Sequence, residues 1–406
     1  MISERQLSYE ILKASYIDGQ YANLIMRKRL NELPKQQRPF VTEIVNGVIR
    51  NDIKLRANFE RYFTSKTKMS IIIILMMAYY EKHYLQHPNY VVVNEYVGLT
   101  KKQYKAFING FLRNHLDDFN FYEVTNNLEE VSIKYSLPLW IVKLLKAQYN
   151  DKDFEYLLND YQEVLPSIFY HLNSNKIDRE VLKSLDVTFI TDKAFISKNN
   201  LIDHDLFKNG SIYVQDLGSQ MIGDALDLQD GDFILDMCAA PGSKTFNMLE
   251  NIDDDTNFYI NDISALRLEL IKSKAINLGY QNLNFINYDG LKLGELGINF
   301  DKILLDAPCS GLGVIKRKTD LKNRIRPENL DELVSLQQGL LEVAATILKK
   351  GGQLVYSTCT LNRKENDRQI RNFLTIHQEF ELIDERLILP EKGSDAFYFA
   401  KMTKIK

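Results

Sequence analysis

The sequence is poor in cysteine and tryptophan, with three cysteines (Cys238, Cys309 and Cys359) and one tryptophan in 406 residues. An odd, small number of thiols argues against a disulfide framework. No CxxC pair or Cys/His cluster is present, so no metal is expected. Long hydrophobic runs are also missing. The most apolar stretch, Met69–Tyr80, has 12 residues and is flanked by Lys66, Lys68 and Lys82. A spanning helix needs ~20 residues, so a buried helix and no membrane contact are expected. The opening MISERQLSYE has no apolar core behind a basic tip, which predicts no secretory signal and a cytoplasmic protein. Neither G-x-G-x-x-G nor a GK[ST] phosphate loop occurs, which disfavours a nicotinamide dinucleotide and a P-loop nucleotide. Repeats and low-complexity segments are absent.

What is present is ordinary globular material, 45% hydrophobic and 26% charged, enough for two or three domains. The net charge of −3 conceals an asymmetry. Residues 1–150 carry 21 Lys and Arg against 14 Asp and Glu, whereas residues 151–406 carry 30 against 40. A basic half joined to an acidic one suggests that the first meets a polyanion, or that it is simply a solvated surface.

Apolar spacing of three and four predicts helices over Gln6–Ala14, Tyr21–Leu30, Gln36–Arg50, Ile53–Tyr62, Ile71–Tyr84 and Gln103–Leu116. A linker helix is expected over Ser136–Tyr149. Short β-like runs follow (IFYHLN, VTFI, AFIS and SIYVQD), implying a small α/β module. From about Leu217 strands and helices alternate. Strands are predicted at Phe233–Leu235, Phe258–Ile260, Leu283–Ile286, Ile303–Leu305 and Leu354–Tyr356. Between and after them come helices at Ser243–Glu250, Ala265–Leu278, Leu330–Lys349 and Glu365–His377, with a turn at Lys349–Gly352. This is the pattern of a mostly parallel sheet covered on both faces.

Five strand ends carry the candidate chemistry. In FILDMCAAPGSKT, Phe233–Thr245, a strand runs through Asp236 into the small residues Ala239, Ala240 and Gly242, which lets a ligand approach the backbone at a helix N-terminus. Asp262 ends the next strand, where a carboxylate suits ribose hydroxyls or a helix cap. Asp289 ends another and suits either an exocyclic amine of adenine or an Asp-Gly turn. DKILLDAPCSGLG, Asp301–Gly313, places Asp306 and Cys309 at a strand end, and GGQLVYSTCT, Gly351–Thr360, does the same for Cys359. A single cysteine is usually a small core residue; two at neighbouring strand ends in a ligand crevice are better read as reactive.

CAAPGSK, DAPCSG and STC, in this order, resemble the cofactor loop and two cysteine motifs of the RNA cytosine-C5 methyltransferases, in the branch known as RsmB or Sun. VNGVIRN and INGFLRN resemble that branch's NusB-like helical RNA-binding domain, and SLPLWIV and VQDLGSQ its linker and catalytic entry. Ser243 replaces a usual Gly, Thr319 a usual Pro and Ala396 a usual Gly. The resemblance implies a multidomain chain: an all-α NusB-like domain (1–135), a linker helix with a small α/β, RRM-like module (136–215), and a Rossmann-like methyltransferase domain (216–406).

The same resemblance implies a function. A methyl group would pass from S-adenosylmethionine to carbon 5 of a cytosine in ribosomal RNA, of the 16S type. Cys359 would attack carbon 6 and Cys309 would assist removal of the carbon 5 proton and release. Asp306 would bond the ring edge, with Lys244 supporting it. Implied cofactor contacts are Cys238, Ala239, Ala240, Pro241, Gly242, Ser243, Lys244, Asp262, Asp289 and Asp306. The cations after the Cys309 motif, Lys316, Arg317, Lys318, Lys322, Arg324 and Arg326, are expected phosphate contacts or a solvated basic face. A monomer is expected. Alternatives are the same chemistry on transfer RNA or 23S ribosomal RNA, or an RNA-binding assembly or antitermination factor with methylation secondary.

Overall fold

The computed structural model describes residues 2–123, 127–163, 168–253, 256–391 and 393–406. The chain forms two compact units, Met1–Gln162 with Lys318–Arg324, and Glu163–Arg317 with Ile325–Lys406.

The first unit is helical: α1 Glu4–Tyr16, α2 Ala22–Arg29, α3 Arg38–Phe59, α4 Met69–His83, α5 Asn89–Leu99, α6 Lys105–His115, α7 Leu128–Tyr135, α8 Leu139–Gln148 and α9 Asp151–Gln162. Helix α4 is buried continuously from Ile71 to Glu81, which is why its sequence is apolar all round. Its one buried charge, Glu81, accepts from Arg5 Nε at 3.0 Å and Tyr96 Oη at 2.7 Å, and meets His87 Nδ1 at 2.7 Å. The expected break near Asn51 is absent, and α3 runs straight through it. Asn51 and Asp52 are each only 4% exposed and are held by tertiary partners, among them the Tyr16 hydroxyl on Asp52 at 2.9 Å. Helix α5 escapes sequence reading because its Val91–Val93 run has the β-branched signature of a strand. The expected linker helix, α8, clusters with this unit and not with the small module.

The second unit opens with the small module: β1 Ile168–Leu172, β2 Val187–Phe189, β3 Ala194–Ser197, the single-turn α10 Asp205–Lys208, and β4 Ile212–Val214. Its antiparallel sheet has the order β2-β3-β1-β4. Buried His171 ties the module to the larger sheet's layer, with Nδ1 2.9 Å from Gln220 Oε1 and Nε2 3.0 Å from Glu250 Oε2.

Then follow α11 Leu217–Gly223, β5 Phe233–Asp236, α12 Ser243–Leu249, β6 Asn257–Asn261, α13 Ala265–Asn277, β7 Leu283–Ile286, β8 Phe300–Asp306, α14 Pro327–Ile347, β9 Leu348–Thr358, α15 Asp367–Ile376, β10 Phe380–Ile388 and β11 Phe397–Lys404. They form a seven-stranded sheet ordered β10-β11-β9-β8-β5-β6-β7. Strands β9 to β7 pair in parallel, and β11 and β10 add antiparallel. Apolar residues alternate between faces: Leu235, Ile303, Leu305 and Tyr356 on one core, Ile234, Leu304 and Val355 on the other. Both faces are covered, so the strands read as continuous apolar runs. Helix α14 ends at Ile347, and β9 begins at once. The Lys349–Gly352 segment read as a turn is instead an irregularity within β9, where pairing with β8 shifts register and Gly351 takes φ +80°.

Candidate active site

Strands β5 and β8 are neighbours at the sheet's centre, yet the chain leaves β5 for β6 and β7 and returns to β8 and β9. The connections part there, opening a crevice beyond the strands' carboxyl ends where such sheets bind ligands. Cys238, Asp262, Asp289, Asp306, Cys309 and Cys359 all follow or end these strands.

Asp306 stands opposite Ser357 in the β8–β9 ladder, so the turns carrying Cys309 and Cys359 leave the sheet side by side. Their sulfurs are 3.4 Å apart, and both cysteines are partly exposed. Gly313 closes the assembly. Its N–H donates to the Cys359 carbonyl at 3.0 Å, its carbonyl accepts from Ala396 N at 3.0 Å, and a Cβ there would lie 2.3 Å from Ala396 O. No other residue type fits that approach.

Beneath the cysteines lies Glu365, fully buried. Its Oε2 accepts from Ser310 N at 2.8 Å and Gln337 Nε2 at 3.0 Å; its Oε1 accepts from Ser310 Oγ at 2.6 Å and Asn362 Nδ2 at 3.0 Å. Ser310 Oγ also meets Thr360 Oγ1 at 2.7 Å. The residues directly after the two cysteines are therefore joined through the Ser310 hydroxyl, which the Glu365 carboxylate holds. In sequence, Glu365 stands at the start of a polar helix, and nothing local distinguishes it from a solvated helix start.

Lys244 Nζ, on α12, donates to Asp306 Oδ2 at 2.6 Å, while Asp306 Oδ1 accepts from Ser357 Oγ at 2.8 Å. Burial alone would depress the Lys244 ammonium, but Asp306, Cys359 and Asp236 outweigh it and hold its pKa above the ordinary value. The Cys309 thiol is pushed the same way, well above its ordinary value, by its hydrogen bond to Cys359, by burial, and by the negative charge of Glu365. Cys309 is accordingly protonated at neutral pH.

The Cys238–Lys244 loop turns on Gly242, whose φ of +95° caps α12. Asp262 Oδ2 accepts from Ala240 N at 3.2 Å, and its Oδ1 accepts from Ser264 N at 2.8 Å and pairs with Arg267 at 3.1 Å. Ser264, not Asp262, caps α13. Asp289 caps the 3-10 turn Gly290–Leu296 by accepting from Leu291 N at 3.0 Å, so its turn reading holds. Burial pushes Cys238 up and Asp236 up to about 7.

The basic loop departs from expectation. Lys316 is 2% exposed and 4.0 Å from Glu163. Arg317 bridges Asp395 at 2.7 Å and Asp216 at 3.1 Å. Lys322 is 3% exposed, 3.0 Å from Asp52, and donates to Arg50 O at 2.9 Å. Arg324 donates to Gly19 O at 2.7 Å and lies over the Tyr21 ring. Only Lys318 and Arg326 of the six are exposed. The carboxylates and carbonyls that engage the others come from distant parts of the chain, so a run that looks like a phosphate cradle is mostly consumed by folding.

A Rossmann-like sheet with a small-residue loop after its central strand and two facing cysteines defines the class, that of the methyltransferases. Residues 224–403 match the profile "16S rRNA methyltransferase RsmB/F", and residues 3–117 match the NusB family. The chain is 31% identical to the probable ribosomal RNA small subunit methyltransferase B of Bacillus subtilis, over 99% of each chain. It is 32% identical to that of Synechocystis, over 94% of this chain and 91% of the other. Among solved structures, PH0851 superposes with TM-score 0.81 at 21% identity, over 100% of this chain and 99% of that one. The NSun6 protein of Pyrococcus horikoshii, solved with SFG, superposes with TM-score 0.59 at 20% identity, over 66% of this chain and 98% of that one. The chain belongs to the RsmB family of ribosomal RNA small subunit methyltransferases, which are S-adenosylmethionine-dependent enzymes.

Proposed function

We propose that the protein methylates carbon 5 of a cytosine in small-subunit ribosomal RNA, with Cys359 as the nucleophile and Cys309 as its proton-handling partner. The observation that carries this reading is the 3.4 Å approach of the two sulfurs beside the Lys244–Asp306 pair. The residues fit the cofactor: small residues at the end of β5 leave room for a ligand against the backbone, Asp262 offers a carboxylate for ribose, and Ile263, 66% exposed directly after it, offers an apolar face to a purine. When bound, S-adenosylmethionine supplies an electrophilic methyl group. Asp289 remains a proposed contact at the adenine end.

Carbon 5 of cytosine is a weak nucleophile. Addition of a thiolate at carbon 6 gives an enamine whose carbon 5 is strongly nucleophilic, dividing a hard step into easier ones. The Lys244 ammonium lies close enough for its charge to be coupled to Cys359, which favours negative charge on that sulfur. The Cys309 sulfur lies 3.4 Å from the same sulfur, so a proton on Cys309 can be shared with it. The Asp306 carboxylate, held from two sides by Lys244 and Ser357, is available to the ring edge of the base. After transfer, the Cys309 sulfur, once its own proton has passed to solvent, takes the carbon 5 proton; the C–H electron pair reforms the carbon 5–carbon 6 double bond, and the Cys359–carbon 6 bond breaks to regenerate the thiolate. The base must leave its stack to enter.

The test uses labelled cofactor, the purified protein and unmodified small-subunit RNA, with the product nucleoside mapped. Label in 5-methylcytosine, abolished by Cys359→Ala, is the expected result. Label found only on transfer RNA or large-subunit RNA would overturn the substrate, and undiminished transfer by Cys359→Ala would overturn the nucleophile.

A further inference from the structure

The residues that lead into β11 meet the candidate site three times in succession. Asp395 N donates to Asp216 Oδ2 at 3.0 Å. Ala396 N donates to the Gly313 carbonyl, and Gly313 N donates onward to the Cys359 carbonyl, each at 3.0 Å. The Phe397 ring centroid lies 5.4 Å from Lys244 Nζ. The backbone of the proposed nucleophile is thus joined through Gly313 to Ala396, and the ammonium whose charge is coupled to Cys359 rests on the next side chain along. Whatever holds this segment helps set the distance between thiol and ammonium.

Arg317 holds it. Its Nε pairs with Asp395 Oδ2 at 2.7 Å, and its Nη2 donates to Asp216 Oδ2 at 3.1 Å and to the Gly393 carbonyl at 3.0 Å. Asp216 in turn caps α11, accepting from Gly218 N at 3.1 Å. One planar fork therefore ties together the entry to α11, the turn before β11 and its own loop, which runs on from Cys309. Burial pushes both carboxylates up, Asp395 to about 7, and the charge of Arg317 opposes that rise at each. The cation stands where the sequence suggests a phosphate contact, yet its donors are turned inward.

We infer that Arg317 is a positioning residue for methyl transfer: through Asp395 and Asp216 it holds the seam between Gly313 and Ala396, and with it keeps Cys359 beside Lys244. The inference deepens the proposed function and rests on its assignment of Cys359 as nucleophile. The geometry calls for arginine. A lysine carries the same charge, but as a single point on a flexible stem it does not span two carboxylates and a carbonyl in a fixed arrangement. A misplacement of about 1 Å at a reacting centre can cost on the order of 100-fold in rate, so loss of the fork registers in turnover even though Arg317 acts at one remove.

The test compares the full-length protein with Arg317→Lys, which keeps the charge, and Asp395→Asn, which keeps the shape, with thermal melting to show that each variant folds. Methyl transfer is measured over a range of small-subunit RNA concentrations. A kcat lower by about tenfold or more in both variants, with KM for RNA unchanged, is the expected result. A phosphate contact gives a different pattern: Asp395→Asn frees the guanidinium, so RNA binding tightens while kcat is kept. That pattern would overturn the inference, as would wild-type kcat in both variants. A second readout does not depend on the substrate. Iodoacetamide labelling of the intact protein, mapped peptide by peptide, gives the reaction rate of Cys359 with Cys238 in the same digest as the reference. The Cys359 rate is expected to fall by about threefold or more in Arg317→Lys, because a thiol drawn away from Lys244 is less ionised, while the Cys238 rate is kept. An unchanged Cys359 rate in both variants would overturn the inference. The two readings fail separately: a wild type that methylates no cytosine sinks the proposed function, and the labelling rates still decide whether Arg317 positions Cys359.

Discussion

Glu365 accepts four hydrogen bonds from three residues, and through Ser310 it fixes the spacing of the two thiols. Its replacement by glutamine puts an N–H where the site offers only donors. Glu365→Gln is therefore expected to cost about 1.5–3 kcal/mol of stability, as a lower urea midpoint, and to slow methyl transfer without weakening RNA binding. Unchanged transfer would show that the thiol spacing does not depend on this carboxylate. The cysteines themselves are legible in sequence, because each sits in a short motif at a strand end. Glu365 is not, since its significance comes from Ser310 and Gln337, residues on other elements. The same reason hides the fate of Lys322: its partner Asp52 lies in α3, inside what reads as a helix break.

At the scale of elements, the β5–α12 turn carries a buried carboxylate. Asp236 is 1% exposed and accepts from Thr245 Oγ1 at 2.6 Å, and burial raises its pKa to about 7. Because the folded value is raised above the unfolded one, the folded state holds this proton more tightly. The associated stability is fully present below about pH 4 and is lost as pH rises through about 7. Asp236→Asn, which cannot ionise, is expected to flatten the fall in Tm between about pH 4 and 7. An unaltered pH profile of Tm would contradict the assignment. Five of the seven large-sheet strands are legible, four to within about three residues and β9 only in its second half, because parallel strands buried on both faces read as apolar runs. Strands β10 and β11 are not; most residues of β10 are exposed, and its charges interrupt any alternation.

At the scale of the whole molecule, the chain order and the compact units do not coincide. Lys318–Arg324 lies in sequence between the Cys309 motif and α14, yet packs as part of the helical unit. Ala22 N donates to Asp320 at 3.0 Å, Asn323 Nδ2 donates to Asp52 at 2.5 Å, and Lys322 is buried among α3 and the α7 cap. A fragment beginning at Glu163 leaves this segment without its partners. Trypsin is expected to cut such a fragment rapidly after Lys318, Lys322 or Arg324, and the full chain slowly at those bonds. Equal cleavage rates would show that the segment holds its conformation alone. The basic first half is visible in composition, but only the folded chain shows which cations are spent on internal pairs and which face outward. The central claim is a covalent bond between Cys359 and the target base, and its most direct measurement is a denaturing gel of Cys309→Ala incubated with cofactor and small-subunit RNA. A protein–RNA band that withstands denaturation, and that is absent from the Cys309→Ala/Cys359→Ala double variant, is the predicted result. No band from Cys309→Ala, or one that persists without Cys359, would contradict it.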